Sequence, residues 1–550
     1  MHFRSFASTG LILLTAVSLS FATTGDIIKA FPVPGTCPTG LAWDGGSLWL
    51  ADLKTDLFYQ ISPQDGSVLR EIPAPTYRPL GLCYDGEALW CIDGEEERLL
   101  RIDPETGLVT KNFESPVPQP TGLTWDGQYL WLASRGLKEL HQLSTIDGTT
   151  IVSFASPSGS PQGLAFDGNY LWVADRIRNR IYMVNPTGGE VIVMFDAPAP
   201  YADGLAWDGK NLWNADFQSD SLYCLQIGEG ELYTRKDCKT QQVTFTHEVR
   251  NYGPGTMNSL DIFIALPRDY TNQELIGELA YNPAPTDFLT DQWDQKVAHW
   301  HFADSEAGAL HSVALTAQAN LYDTRFFIFP EKVGSLKDIP KDIKKLYLVD
   351  DEKFDLQNPI IQNILQEEVG DEKNPYWIMR KIFNAVIDRV DYELSGGWNT
   401  APTVIDRGTG SCSEYTFAFI ALCRAAGLPA RYTGSIAIRG DDASLDDVFH
   451  RWAEVYLPNY GWIPVDPSRG DNPVPEEQAG AIGHWGNRYI ITTWSGGNSE
   501  YLGWTYNSSE EWTTTGKCRI YTEHIGEWTP INPGEIKTVK MIRSGDRCEP

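Results

Sequence analysis

The chain predicts a multidomain, mostly β protein: an all-β propeller of five four-stranded blades, a β-sandwich, and an α+β core. Three observations carry this. A 41-residue repeat fills the N-terminal third, and a period-two alternation of apolar and polar residues follows it. Beyond them, a helix apolar nearly all round begins at Cys412, and a hairpin bearing His450 and Asp466 comes after it.

The repeat is explicit. Gly-Leu-x-aromatic-Asp-Gly-x-x-Leu-Trp begins at Gly40, Gly81, Gly122, Gly163 and Gly204, each 41 residues after the last. Within a unit, Asp-Gly turns one strand back on the next. Runs such as residues 57–61 and 68–72 supply a third strand and a fourth. Four strands in about 40 residues make a propeller blade. Trp49, Trp90, Trp131, Trp172 and Trp213 read as packing between blades. Residues 25–34 match a fourth strand, with Gly25 lying 41 before Gly66, while the last unit lacks its own ending. The N-terminal strand is therefore expected to complete the fifth blade and remove an open edge. Asp52, Asp93, Asp175 and Asp216 recur at one blade position, interrupted by Ser134; hydrogen bonding at hairpin ends is expected there ahead of a cation site. The unit resembles propellers of the streptogramin-lyase-like and NHL-like group, which implies architecture and not function.

From about residue 231 to 339 the alternation (residues 243–249, 260–266, 313–321 and 325–329) reads as a β-sandwich. His299 and His301 share one face of a strand, a potential metal pair with no third ligand close by.

The chemistry centres on Gly410-Ser411-Cys412-Ser413-Glu414-Tyr415. Ser411 and Glu414 form a capping box, which puts Cys412 at the first helical position. The apolar run to Ala426 buries the helix, Gly427 ends it, and Pro429 prevents its resumption. A thiol at a helix start meets unpaired N–H groups and the positive end of the dipole, which lowers its pKa from about 8.5. His450 opens an alternating strand, and a Gly-containing connection leads to Trp462-Ile463-Pro464-Val465-Asp466-Pro467, so the hairpin brings His450 near Asp466. A nucleophile, a base and an orienter are the parts of acyl transfer.

Gly410-Ser411-Cys412, the stretch from Arg424 to Arg431, His450 to Val455 and Trp462 to Pro467 follow one another in the order and spacing of the transglutaminase-like superfamily. The resemblance covers roughly residues 340–500 and implies a papain-like fold. It also implies that Cys412 attacks a carboxamide, His450 moves protons and Asp466 orients the imidazole, with no cofactor. Trp398 or Tyr392 would join the Cys412 N–H in holding the oxyanion, and the sequence does not choose between them. Asp441, Asp442, Asp446 and Asp447 precede His450, where a solvated loop is expected ahead of a calcium site of the kind animal transglutaminases use.

A net charge of −29 argues against nucleic acid or an anionic membrane surface as partner. Arg4, an apolar stretch from Gly10 to Phe21 and Ser20-Phe21-Ala22 read as a secretory signal with cleavage near Ala22, hence a secreted or periplasmic protein. No later stretch is long and apolar enough to span a bilayer. Nine cysteines leave one without an intrachain partner, and Cys412 is the natural one; Cys423 is expected reduced as well. Cys518 and Cys548 are placed to pair, and Cys83 and Cys91 to face each other across a turn.

The organisation expected is a signal peptide (1–22), propeller (23–229), β-sandwich (230–339), catalytic domain (340–500) and C-terminal β extension (501–550). The function expected is an exported cysteine enzyme acting on protein or peptide amides through a thioester. An amine resolves the thioester in cross-linking and water in hydrolysis, and the motif precedes that branch. The propeller would dock a protein or a cell-envelope polymer. The rival reading is a non-catalytic surface-binding protein with an inactive papain-like domain.

Overall fold

The structure is a computed structural model that describes residues 22–394, 397–440 and 443–531. The proposed signal segment, but for Ala22, lies outside the described residues. Five four-stranded antiparallel sheets form the N-terminal region. The strand Ile27–Pro32 pairs with Ser221–Leu225 as the outer strand of the fifth sheet, so the repeat closes with its N-terminal strand as the sequence predicts. The repeated glycine has a steric cause. A Cβ on Gly40 would lie 2.2 Å from the Leu80 carbonyl oxygen, and one on Gly122 1.8 Å from that of Gln162. On Gly204 it would lie 2.8 Å from the Leu41 nitrogen. Neighbouring inner strands touch backbone to backbone, and the fifth touches the first.

The repeated Asp and Trp are one device. Each buried indole N–H donates to the aspartate five residues earlier, from Trp49 to Asp44 at 2.9 Å through Trp213 to Asp208 at 2.8 Å. Asp52, Asp93, Asp175 and Asp216 accept backbone N–H groups at the hairpin ends, and the Ser134 hydroxyl serves that turn in its own blade.

Next comes a nine-stranded sheet built on the long strand Tyr233–Ala265. Its first half pairs with Leu310–Phe326 and its second with Lys296–Ser305. Val243, Phe245 and Val249 of the first half share one apolar core with Leu260, Ile262 and Ile264 of the second, so the sheet folds over on itself as a sandwich does. The C-terminal strand Ser508–Pro530 pairs with residues 241–264 of that long strand and belongs to the same sheet.

In the third region, helices α1 (Pro375–Ile387) and α2 (Cys412–Ala425) pack against each other. Behind them lies a sheet of β1 (Ala430–Ala437), β2 (His450–Leu457), β3 (Gly461–Val465) and β4 (Tyr489–Ser495), in the order β3-β2-β1-β4. Phe417, Phe419, Ile420 and Leu422 are buried on every side of α2, and Gly427 ends the helix at φ 82°. No helix among the described residues is long and apolar enough to cross a membrane.

The cysteines depart from expectation in two places. Cys83 stands opposite Trp90 and Cys91 opposite Leu82. That one-residue offset points the two thiols to opposite faces of the sheet, and both are free. Cys518 is also free, Cys238 is disulfide-bonded, and Cys548 lies outside the described residues. Cys412 and Cys423 are both unbridged.

Candidate active site

Cys412 is the first residue of α2, and Ser411 caps the helix. Buried Glu414 closes the capping box, accepting the Ser411 N–H at 3.0 Å. The same carboxylate accepts Arg407 Nη2 at 3.0 Å and Asn399 Nδ2 at 2.8 Å, which ties the preceding loop to the helix start. The short helix Ala401–Arg407 that carries this arginine is absent from the sequence reading; Thr400 and Pro402 were its signal.

The hairpin of β2 and β3 delivers the partners. Ala453 pairs with Val465, and His450 Nε2 lies 2.7 Å from Asp466 Oδ2. Asp466 Oδ1 accepts Ser468 Oγ at 2.7 Å and the Arg469 N–H at 3.2 Å, so the aspartate is fixed as the cap of a short helix, Pro467–Gly470. With Nε2 given to Asp466, Nδ1 is the ring nitrogen left for the Cys412 thiol, which lies close enough to the imidazole for each to shift the other's pKa. The three residues singled out from sequence are thus brought together in the fold. Trp452 and Tyr489 flank the imidazole, each with its ring centroid 5.6 Å away.

Electrostatics follows from that geometry. Burial opposes charge on Cys412, but the hydrogen bond and positive charge of His450 and the Arg451 N–H outweigh it, and the thiol pKa is lowered. Burial likewise opposes a charged His450, yet Asp466 and then the Cys412 thiolate raise its pKa well above the ordinary value. Burial also works against Asp466, and the imidazolium overrides it and lowers that carboxyl. Both shifts favour a thiolate–imidazolium pair.

Two supports escaped the sequence reading. Arg451 is fully buried, with its guanidinium 4.3 Å from the Tyr506 ring, 4.4 Å from that of Tyr432 and 5.4 Å from that of Trp398. It donates to the Trp504 carbonyl and places a cation in the field of Cys412. The second is Asp446, where the expectation of a solvated loop is wrong. Its carboxylate is fully buried and accepts the Ala437 N–H at 2.6 Å, Arg439 Nε at 2.8 Å and the Phe449 N–H at 2.9 Å. Arg439 also donates to the Phe449 carbonyl. Phe449 has φ 60°, a conformation that costs a bulky residue energy, so the Asp446–Arg439 pair clamps the strained residue preceding His450. Asp441 and Asp442 lie outside the described residues, and Asp447 follows Asp446 in a bend.

Tyr392 and Trp398 both reach the mouth. The Tyr392 phenol lies in the field of Cys412 and His450, with its pKa raised by burial and then by the thiolate. His299 and His301 do share a face, but Nε2 of one and Nδ1 of the other each lie 2.8 Å from the same Asp261 oxygen, which occupies the pair.

Residues 362–467 match the transglutaminase-like superfamily. An uncharacterized protein of Haemophilus influenzae is 26% identical over 161 residues, covering 23% of this chain and 42% of that protein. The chain therefore spans less than half the length of that relative. A putative cysteine protease from Cytophaga hutchinsonii aligns with a TM-score of 0.38 at 16% identity, over 53% of this chain and 93% of that one. Virginiamycin B lyase of Staphylococcus aureus aligns with a TM-score of 0.26 at 20% identity, over 36% of this chain and 69% of that one.

Proposed function

From a chain whose residues 362–467 form a transglutaminase-like domain, we propose a cysteine enzyme that transfers acyl groups from protein or peptide amides. The observation that carries this reading is His450, held by Asp466 at 2.7 Å on one nitrogen and close enough to the helix-start thiol of Cys412 to lower its pKa. The Cys412 thiolate attacks the carboxamide carbon, and the oxyanion forms beside the N–H groups at the start of α2. His450 gives its proton to the departing nitrogen as the C–N bond breaks, leaving a thioester. An amine or water then attacks the thioester, His450 takes its proton, and the C–S bond breaks to return the thiolate. Asp466 keeps the imidazole in the right tautomer and stabilises its charged form.

The protein acts outside the cytoplasm, on the strength of its N-terminal signal, and its propeller loops engage a protein or cell-envelope polymer bearing the amide. The test is turnover of a glutamine-containing peptide with and without added primary amine. Cys412→Ala abolishes both ammonia release and amine incorporation, and Asp466→Asn slows them by about 10⁴-fold while leaving the fold intact. Parental rates in Cys412→Ala would end the enzyme reading and leave the surface-binding one. Ammonia release unaffected by amine, with no incorporation, would assign hydrolysis.

A further inference from the structure

Away from the active site, the folded-over sheet holds a histidine that its surroundings do not explain. His247 lies on the inward face of Tyr233–Ala265 in register with Val243, Phe245 and Val249, and is 0% exposed. Among the described residues, neither of its ring nitrogens has a hydrogen-bond partner. A buried imidazole left in that condition has given up water for nothing.

Two further donors point at it. His524, directly opposite on the C-terminal strand, meets it edge to face with ring centroids 4.3 Å apart, and its own Nε2 is also without a hydrogen-bond partner among the described residues. Glu510 lies near the start of the same C-terminal strand, where it pairs with the second half of Tyr233–Ala265, opposite Ile262. Its Oε2 lies 3.5 Å from His247 Nε2 and 3.8 Å from His524 Nε2, too long for the hydrogen bonds an imidazole normally makes. One ligand atom from each of the three residues falls within 4.8 Å of the others. Atoms bonded to a tetrahedral zinc at about 2.0–2.2 Å stand roughly 3.3–3.6 Å from one another, close to the spacing observed. The other carboxylate oxygen accepts Thr522 Oγ1 at 2.9 Å, which orients Glu510 as an outer-shell partner orients a metal ligand.

We propose that His247, Glu510 and His524 bind one zinc ion, which ties the two ends of the C-terminal strand to the first half of Tyr233–Ala265. Two imidazoles and one carboxylate suit zinc and neighbouring transition metals, and imidazole donors argue against calcium or magnesium. Burial supports this by holding the His247 pKa down to about 2, so the ring stays neutral and its lone pair free. Glu510 and His524 remain partly exposed, which gives the ion a way in and leaves a fourth position to water.

The experiment uses the full chain in a Cys412→Ser background, which removes a competing thiolate, stripped with chelator and titrated with zinc chloride and, separately, cobalt chloride. One equivalent of zinc is expected to bind and to raise the unfolding temperature. Cobalt should give the visible absorption of a four-coordinate site without a sulfur charge-transfer band. Glu510→Gln and His524→Ala, both at partly exposed positions, should each weaken binding by more than the roughly 10–100-fold typical of outer-shell partners. Failure of the stripped chain to take up an equivalent would overturn the site. So would a thiolate band with cobalt, or unchanged affinity in either variant.

Discussion

The fourth propeller blade and the other four are built on one repeat, yet their outer strands meet opposite surroundings. Four of these strands, Ile27–Pro32, Val68–Pro73, Val109–Glu114 and Thr150–Ala155, are largely exposed. Val191–Asp196 is buried along most of its length. What covers it is the region carrying the candidate active site. Ala479 of the helix Pro475–Gly480 shares a core with Met194, and Arg380 of α1 donates to the Val191 carbonyl at 3.2 Å. Glu476 pairs with Arg180 and lies 3.4 Å from Arg178, while Phe327 and Phe329 join the apolar cluster of Val193 and Phe195. The propeller is therefore packed into the rest of the molecule through its fourth blade and the adjoining end of its fifth. Any docking role is left to the remaining blades and the loop faces.

The largest effect follows from that seam. A chain starting near residue 231 would strip the cover from Phe327, Phe329 and Ala479 and leave buried Arg380 without its acceptor. We expect it to aggregate or to lose cooperative unfolding, measured by light scattering and denaturant melts. A soluble truncated protein melting at the parental midpoint would make the propeller a separable module, as the sequence alone suggests.

That contrast also marks how much was legible beforehand. The repeat period, the closing strand, the helix start at Cys412 and the hairpin bearing His450 and Asp466 are all local patterns of spacing, capping and turn chemistry. Arg451, Asp446 and the partners of Glu414 were not legible, because a charged residue in sequence reads as solvated until a fold buries it. The solvent-loop expectation for Asp446 failed on that point. The seam did leave a trace: Val191-Ile192-Val193-Met194-Phe195 is apolar throughout, where the matching strands carry Arg70-Glu71 or Lys111-Asn112. The pairing of Ser508–Pro530 with Tyr233–Ala265 left none, since nothing in either strand names a partner so distant in sequence.

A charge placed on matching strands sharpens the comparison. Met194 is 4% exposed and Val152 is 40% exposed. Met194→Asp buries a carboxylate among apolar side chains and should cost more than about 3 kcal/mol, whereas Val152→Asp should stay within about 0.5 kcal/mol. Urea midpoints check both. Equal losses would mean that the outer strands are equivalent in solution and the seam is loose.

Glu476→Gln is milder. The carboxylate is buried, but Arg180 and Arg178 are partly exposed, so solvent recovers much of what the pair loses. A loss of about 1–2 kcal/mol is expected, below the roughly 3–5 kcal/mol for breaking a fully buried pair. The same denaturant series measures it, and a loss as large as that of Met194→Asp would place the main energy of the seam in its charges.

The smallest effect concerns the pH dependence of the thiol. Cys412 has its pKa lowered and His450 has its pKa raised, and both shifts favour the charged form of the pair. In folding terms, the Cys412 contribution is present above the unfolded thiol's pKa and is lost as pH falls through the folded value. The His450 contribution is present below the unfolded imidazole's pKa and is lost as pH rises through the folded one. Alkylation by iodoacetamide follows the thiolate and reads the lower limb. Asp466→Asn removes a negative charge that raises His450, so the imidazole loses its proton at lower pH and the thiolate loses its counter-ion. The alkylation curve should then move upward. Glu476→Gln lies beyond Asp466 in the chain, while among the described residues the Asp466 carboxylate is held by Ser468, Arg469 and His450. Its curve should coincide with the parental one to within about 0.3 pH unit, or about 0.4 kcal/mol. A shift as large as that of Asp466→Asn would mean that the fourth blade tunes the charge state of the active site as well as bracing it.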